Sequence, residues 1–140
     1  MSSVPNPTEG VVDASATAYS LLGGEAKLRA LVDRFYDLME IEPGYQVLRA
    51  VHGSDLAPAR DKLFLFLSGW LGGPNLYIER YGHPMLRARH MPFAIASVER
   101  DQWLACMNQA MVECELDEDL RLRLVKAFFQ TADWMRNRAG

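Results

Sequence analysis

The chain has 140 residues, 49% of them hydrophobic, which is enough for one domain that buries roughly 68% of its unfolded surface and needs no covalent staple. Its formal net charge is -3, with the 15 Lys and Arg scattered except around residues 80–100, so a general nucleic-acid-binding role is excluded. No stretch approaches the roughly 18 apolar residues of a membrane span, and no basic segment followed by an apolar run opens the sequence; the expected compartment is the cytoplasm.

Residues 1–15 are rich in Pro, Ser and Gly and lack periodicity, which predicts a flexible leader before a domain over residues 16–140. A short helical turn is predicted from about Ala16 to Leu22, stopped by Gly23-Gly24. From Glu25 to Met39 the residues Leu28, Leu31, Val32, Phe35, Tyr36 and Met39 recur at helical spacing, an amphipathic helix. Glu42-Pro-Gly44 breaks it, and an irregular or helical piece, Tyr45 to Val51, leads to His52-Gly53. Ser54 or Asp55 can cap the next helix, with Pro58 in its first turn and Leu56, Ala59, Leu63, Phe66, Leu67 and Trp70 as its apolar stripe. Gly72-Gly73-Pro74 ends it, and residues 75–84 read as a loop or frayed turn.

A helix of about two turns, Met85 to Met91, follows. A long helix is predicted from Val98 or Glu99 to about Glu115, with Trp103, Cys106, Met107, Ala110, Met111 and Cys114 on one side. The last helix, about Glu118 to Arg136, gathers Leu120, Leu124, Ala127, Phe128, Thr131 and Met135 on one face. No segment alternates with period two for long enough to argue a strand, so the fold class is all-α. Cys106 and Cys114, eight residues apart in one helix, lie about 12 Å apart at 1.5 Å per residue. That is too far for a disulfide, so both read as free thiols, and no Cys-x-x-Cys-His is present to attach a haem covalently.

The stretch with the most chemistry is Tyr81-Gly-His-Pro-Met-Leu-Arg-Ala-Arg-His-Met-Pro-Phe93. Arg87 and Arg89 lead into the imidazole of His90, and Pro92 closes the segment. Neutral imidazole ligates metals and haem iron, while guanidinium groups suit carboxylates such as haem propionates. The cluster reads as a metal ligand with anion clamps; the plainer reading is a structural histidine at a helix end.

Three motifs taken together identify a family. Trp70-Leu-Gly-Gly-Pro, the 81–93 stretch and Arg100-Asp-Gln-Trp-Leu-Ala-Cys-Met107 closely resemble the truncated haemoglobins of group II. The likeness continues upstream through Val32-Asp-Arg-Phe-Tyr36 and covers roughly residues 19–136. The resemblance implies a two-on-two α-helical sandwich enclosing one non-covalent b-type haem, with His90 in the place of the proximal iron ligand. Tyr36 and Trp103 match the family's distal tyrosine and tryptophan. His52 stands where the family usually carries Phe or Tyr, and donation to bound ligand, donation to Tyr36 and simple space filling all remain open for it. Ala59 aligns with the distal histidine of conventional globins, with Leu63 one turn along.

Lys62 and Arg89 correspond to propionate-binding basic residues, with Tyr77, His83 and Arg87 as further candidates. Phe66, Leu86, Phe93, Ile95 and Met107 are expected to wall the pocket. The implied partners are dioxygen and other diatomic ligands, with a homodimer through the last two helices in keeping with the family. Two haem-based readings follow: reversible ligand binding, or an enzyme with peroxidase-like or nitric-oxide dioxygenase activity. The latter would need a separate reductase, because the chain carries no flavin or nicotinamide motif. A cofactor-free helical interaction domain is the reading from another class, and it leaves the Arg-Ala-Arg-His-Met-Pro-Phe run unexplained.

Overall fold

A computed structural model describes residues 17–139, and among these residues every regular element is helical. The helices are α1 (Ala18–Leu22), α2 (Glu25–Ile41), α3 (Gln46–Val51), α4 (Ala57–Trp70), α5 (Leu76–Tyr81), α6 (Leu86–His90), α7 (Ser97–Glu113) and α8 (Glu118–Trp134), with a 3-10 turn at Pro43–Tyr45. The predicted leader, residues 1–15, lies outside the described residues.

Helix α2 is the centre of the core. Its apolar positions recur every three to four residues, and Leu28, Leu31, Val32, Phe35, Leu38 and Met39 are all essentially inaccessible to solvent. Burial of each such side chain stabilises the fold by about 1.5–3 kcal/mol. One neighbour is α4, which turns Phe64 and Leu67 inward; the other is α7, which contributes Cys106, Met107, Ala110 and Met111. Helix α8 packs on α7 through Leu120, Leu124 and Phe128. Two helix pairs, α2 with α4 and α7 with α8, thus meet through α2 and α7, which is the two-on-two arrangement expected from the sequence.

Helix ends follow local chemistry. The Asp117 carboxylate accepts from the Leu120 amide at 3.1 Å to start α8, and Glu99 reaches back to the Ala96 amide at 2.8 Å to start α7, each satisfying an amide that the helix itself cannot. Asp55 accepts from the Ala57 amide at 3.0 Å ahead of α4. Between α4 and α5 the chain folds back on α1. Gly72 holds φ at +97°, and a Cβ on Gly73 would sit 2.5 Å from the Tyr19 ring, so glycine at 73 is what lets the Tyr19 ring lie against the turn.

Residues 75–84, expected as a loop or frayed turn, contain α5. Its single apolar turn is too short to register as a periodicity, yet Tyr77 is buried against Phe66 of α4, with ring centroids 6.3 Å apart. Tertiary packing, rather than propensity, makes this helix. The α4–α5 turn is also pinned by Ser68, wholly buried, whose hydroxyl donates to the Pro74 carbonyl at 2.7 Å. Ser68→Ala is expected to destabilise the protein by about 1 kcal/mol, read by thermal or urea unfolding, because the turn loses one hydrogen bond while the Pro74 carbonyl keeps the Leu76 amide as donor at 2.9 Å.

Candidate functional site

Helix α4 carries two apolar faces. Phe64, Leu67 and Leu71 are buried in the core, whereas Ala59, Leu63, Phe66 and Trp70, spaced along an adjacent stripe, are only partly covered. A partly covered stripe whose Phe66 meets Tyr77 of α5 is what a groove for an apolar ligand leaves behind. Around it runs a continuous train of aromatic contacts. His52 meets Tyr36 edge-on at 5.9 Å, Tyr36 meets Phe35 at 4.9 Å, and Phe35 meets Trp103 at 5.2 Å. Trp103 touches Phe128 at 5.3 Å, Phe128 stacks on Trp70 at 4.9 Å, and Trp70 leads through Phe66 to Tyr77 and Tyr81. The sequence drew attention to Tyr36, Trp103, Phe66 and Tyr77; Phe35, Trp70, Tyr81 and Phe128 complete the train, and nothing in local periodicity separates them from ordinary core.

Tyr36 is 4% exposed, and its hydroxyl has no hydrogen-bond partner among the described residues. Burial pushes the phenol well above its ordinary range, against the opposing field of Arg60, so the group stays protonated and remains a donor. A buried hydroxyl without a partner costs about 1–3 kcal/mol, which makes it a marker of a site. The indole N–H of Trp103, half-buried on α7, is likewise unpartnered among the described residues. Arg60 joins α4 to α2 through Asp33 at 3.1 Å and Asp37 at 3.2 Å.

His52 caps α3, and its Nδ1 lies 3.1 Å from the Leu48 carbonyl. A carbonyl only accepts, so in the neutral ring Nδ1 carries the proton and Nε2 is left as an acceptor. Burial is the main influence lowering the His52 pKa; the Leu48 contact opposes it, while Arg49 and His90 reinforce it. Of the alternatives the sequence left open, neutral His52 is therefore suited to accept a hydrogen bond, not to donate one. Because the folded state resists protonating this ring, the unfolded chain takes up more protons once the pH drops below the ordinary value of 6.5, and stability present above that pH is lost as the pH falls toward the folded value. His52→Phe is expected to flatten this decline between pH 7 and 5 in thermal melts run at a series of pH values.

His90 ends α6, half-buried, with Nδ1 2.6 Å from the Leu86 carbonyl one turn earlier. The same logic places the proton on Nδ1 and leaves the Nε2 lone pair free. His90 lies near enough to His52 to influence it electrostatically. Leu86 is half-buried beside it; Ile95 is buried, Phe93 is 45% exposed, and Met107 sits fully in the core.

The basic residues divide. Arg89 is exposed, with Nε donating to the Pro84 carbonyl at 2.7 Å; Lys62 is exposed with its ammonium 5.7 Å from the Tyr81 ring centre; His83 is exposed. Arg87, read from sequence as an anion clamp, instead donates to the backbone carbonyls of Trp134 and Arg136 at the end of α8. The two cysteines are free, and burial pushes the Cys106 thiol up to about 12, beside the Phe35 carbonyl it donates to at 3.2 Å. Neither thiol belongs to the groove's chemistry.

Among the described residues no helix is long and apolar enough to cross a membrane, and no group of three or more His, Cys, Asp or Glu is placed to hold a bare metal ion.

Comparison with known proteins agrees with this architecture. The family model for bacterial-like globins matches residues 17–137. The group 2 truncated hemoglobin YjbI of Bacillus subtilis (strain 168) is 43% identical over 114 residues, which cover 81% of this chain and 84% of that protein. Among solved structures, the group II 2-on-2 hemoglobin of Agrobacterium tumefaciens superimposes with a TM-score of 0.85 at 41% identity, covering 89% of this chain and 95% of that one. The truncated oxygen-avid haemoglobin of Bacillus subtilis superimposes with a TM-score of 0.79 at 41% identity, covering 86% and 99%. The chain belongs to the bacterial-like globins and, within them, to the group II truncated haemoglobins.

Proposed function

We propose that this protein holds one non-covalent b-type haem through His90 and binds dioxygen beneath Tyr36 and Trp103. Globin membership supports haem-based ligand binding in general, and the oxygen-avid relative supports dioxygen as the ligand. The observation that carries the residue assignment is the buried Tyr36 hydroxyl without a hydrogen-bond partner among the described residues, together with a half-buried His90 whose Nδ1 is taken up by the Leu86 carbonyl so that its Nε2 is left free.

The donor set fits haem. Among the described residues no group of three or more His, Cys, Asp or Glu could hold a bare ion, and a single ligating imidazole suits a metal that arrives already held by its own cofactor. A half-covered apolar stripe on α4 and an aromatic wall suit a flat hydrophobic ring. When bound, haem would supply a ferrous iron able to take a diatomic ligand. The protein's part is to bind, orient and donate. The Leu86 carbonyl fixes the His90 ring and raises the basicity of Nε2. The Tyr36 O–H and the Trp103 N–H are unpartnered donors available to a ligand that gathers negative charge, where hydrogen bonds are each worth about 1.5–3 kcal/mol. Neutral His52 lies edge-on to the Tyr36 ring at 5.9 Å without a hydrogen bond to its hydroxyl, and its Nε2 is an acceptor. Ala59 leaves space on α4 for ligand passage. Lys62 and the outward guanidinium of Arg89 are exposed cations suited to the propionates, and Arg89 is the better fitted of the two by its planar fork.

The reading is tested by reducing the haem-loaded protein and mixing it with oxygen. The expected outcome is a stable, reversible oxygen spectrum displaced by carbon monoxide. Immediate oxidation in the parent chain and in Tyr36→Phe alike would overturn the proposed donors.

A further inference from the structure

Helix α6 is too short to be stable alone. It spans five residues, Leu86–His90, starts from Met85 in the left-handed region at φ 49°, and has no side-chain cap. Isolated helices of this length are unstable in water, and α6 is absent from the principal helix–helix contacts of the fold. Pro84 and Pro92, which bracket it, offer no amide to the rest of the chain. Something else must hold the residue that the proposed function depends on.

Hydrogen bonding supplies the answer. Among the described residues, every hydrogen bond that leaves residues 83–95 ends on residues 134–138, at and just past the end of α8. Asn137 is the hub. Its amide nitrogen donates to the His90 carbonyl at 3.1 Å and to the Phe93 carbonyl at 2.9 Å, while its amide oxygen accepts from the Ile95 N–H at 3.0 Å. The orientation of the amide is fixed by these partners, since two carbonyls demand a donor and an N–H demands an acceptor. Backbone bonds from Asn137 and Arg138 to the Ile95 carbonyl, at 2.8 and 3.1 Å, extend the contact. Arg87 adds a second arm from within α6 to the Trp134 and Arg136 carbonyls.

We propose that the segment after α8, acting through Asn137 and Arg87, is the tether that sets the position of the His90 helix against the groove. Asn137 is a positioning residue: it acts on the backbone of His90, and through it on the imidazole already held by Leu86. The spectroscopic part of the proposal rests on His90 being the iron ligand; the tether itself does not.

The test compares Asn137→Ala, Asn137→Asp and Arg87→Met with the parent protein. Three quantities are read: amide hydrogen exchange over residues 86–95 with and without haem, the iron–imidazole stretching band in resonance Raman spectra, and the rate of haem transfer to an apoglobin acceptor. Asn137→Ala is expected to speed exchange over 86–95 about tenfold or more, to shift or broaden the band, and to speed haem loss by about 10- to 100-fold, the usual range for removing a group that orients a metal ligand. Asn137→Asp is expected to do no better, because it sets a carboxylate oxygen against two carbonyl oxygens. If Asn137→Ala does not fold, Arg87→Met cuts the other arm and is read in the same way. A folded variant with parental exchange over 86–95 and parental haem loss overturns the tether. Should His90→Gly lose haem no faster than the parent, the ligand assignment fails instead, and the exchange data still decide the tether.

Discussion

Tyr36→Phe is expected to release oxygen at least about tenfold faster than the parent protein and, without haem, to be the more stable of the two. Both effects come from one hydroxyl. In the folded chain it is 4% exposed and has no partner among the described residues, so in the haem-free protein it is a desolvated donor, and its removal is expected to raise stability by about 1 kcal/mol. Toward a bound ligand carrying partial negative charge the same donor is worth about 1.5–3 kcal/mol, and 1.4 kcal/mol is tenfold in an equilibrium. Opposite signs from one substitution distinguish a ligand-binding hydroxyl from a packing one. Stopped-flow oxygen release and thermal melts of haem-free protein measure the two. Trp103→Phe is expected to move oxygen release in the same direction by a smaller factor, because Trp103 is only half-buried and water competes for the ligand.

His90→Gly is expected to speed haem loss on the order of 100-fold or more, beyond what loss of an orienting group alone produces. The substitution removes the imidazole and leaves the rest of the groove, since His90 is half-buried at a helix end and anchors no core residue. Protein stability without haem is accordingly expected to stay near that of the parent. Free imidazole added to the variant is expected to restore part of the parental spectrum by entering the space left behind. Haem transfer to an apoglobin acceptor, with and without imidazole, measures this. A structural histidine would give the reverse pattern: lost stability, unchanged haem retention and no rescue.

Much of the fold was legible because α2, α7 and α8 are long and strongly patterned. Phe35 and Leu38, or Leu120 and Leu124, announce a buried face by spacing alone. Helix α5 was not legible, since one apolar turn carries no period and its burial depends on Phe66 from another helix. Helix α4 shows a subtler limit. Of the stripe read from the sequence, Leu56 and Leu67 are buried, whereas Ala59, Leu63, Phe66 and Trp70 are only partly covered, and Phe64, outside the stripe, is buried. A helix apolar on two faces does not say which one meets the protein and which is left for a ligand.

Around His90 the sequence was informative about chemistry and silent about support. The motif carried the imidazole, but the guanidinium of Arg87, adjacent in sequence and plausible as an anion clamp, is committed to carbonyls 47 and 49 residues away. Asn137 gives no signal at all, being a lone amide beyond the last helix. The tautomer of His52 was equally out of reach, because it depends on the Leu48 carbonyl folding back one turn. Long-range hydrogen bonds of this kind leave no periodicity behind.

The most direct test of the central claim is a haem titration of the parent protein followed at the Soret band, with His90→Gly titrated alongside. Saturation at one haem per chain, with an altered and more weakly held band in the variant, is the predicted result. A parent protein that gives no saturating band, or a variant that matches it in band position and affinity, would contradict the assignment of His90 as the haem ligand.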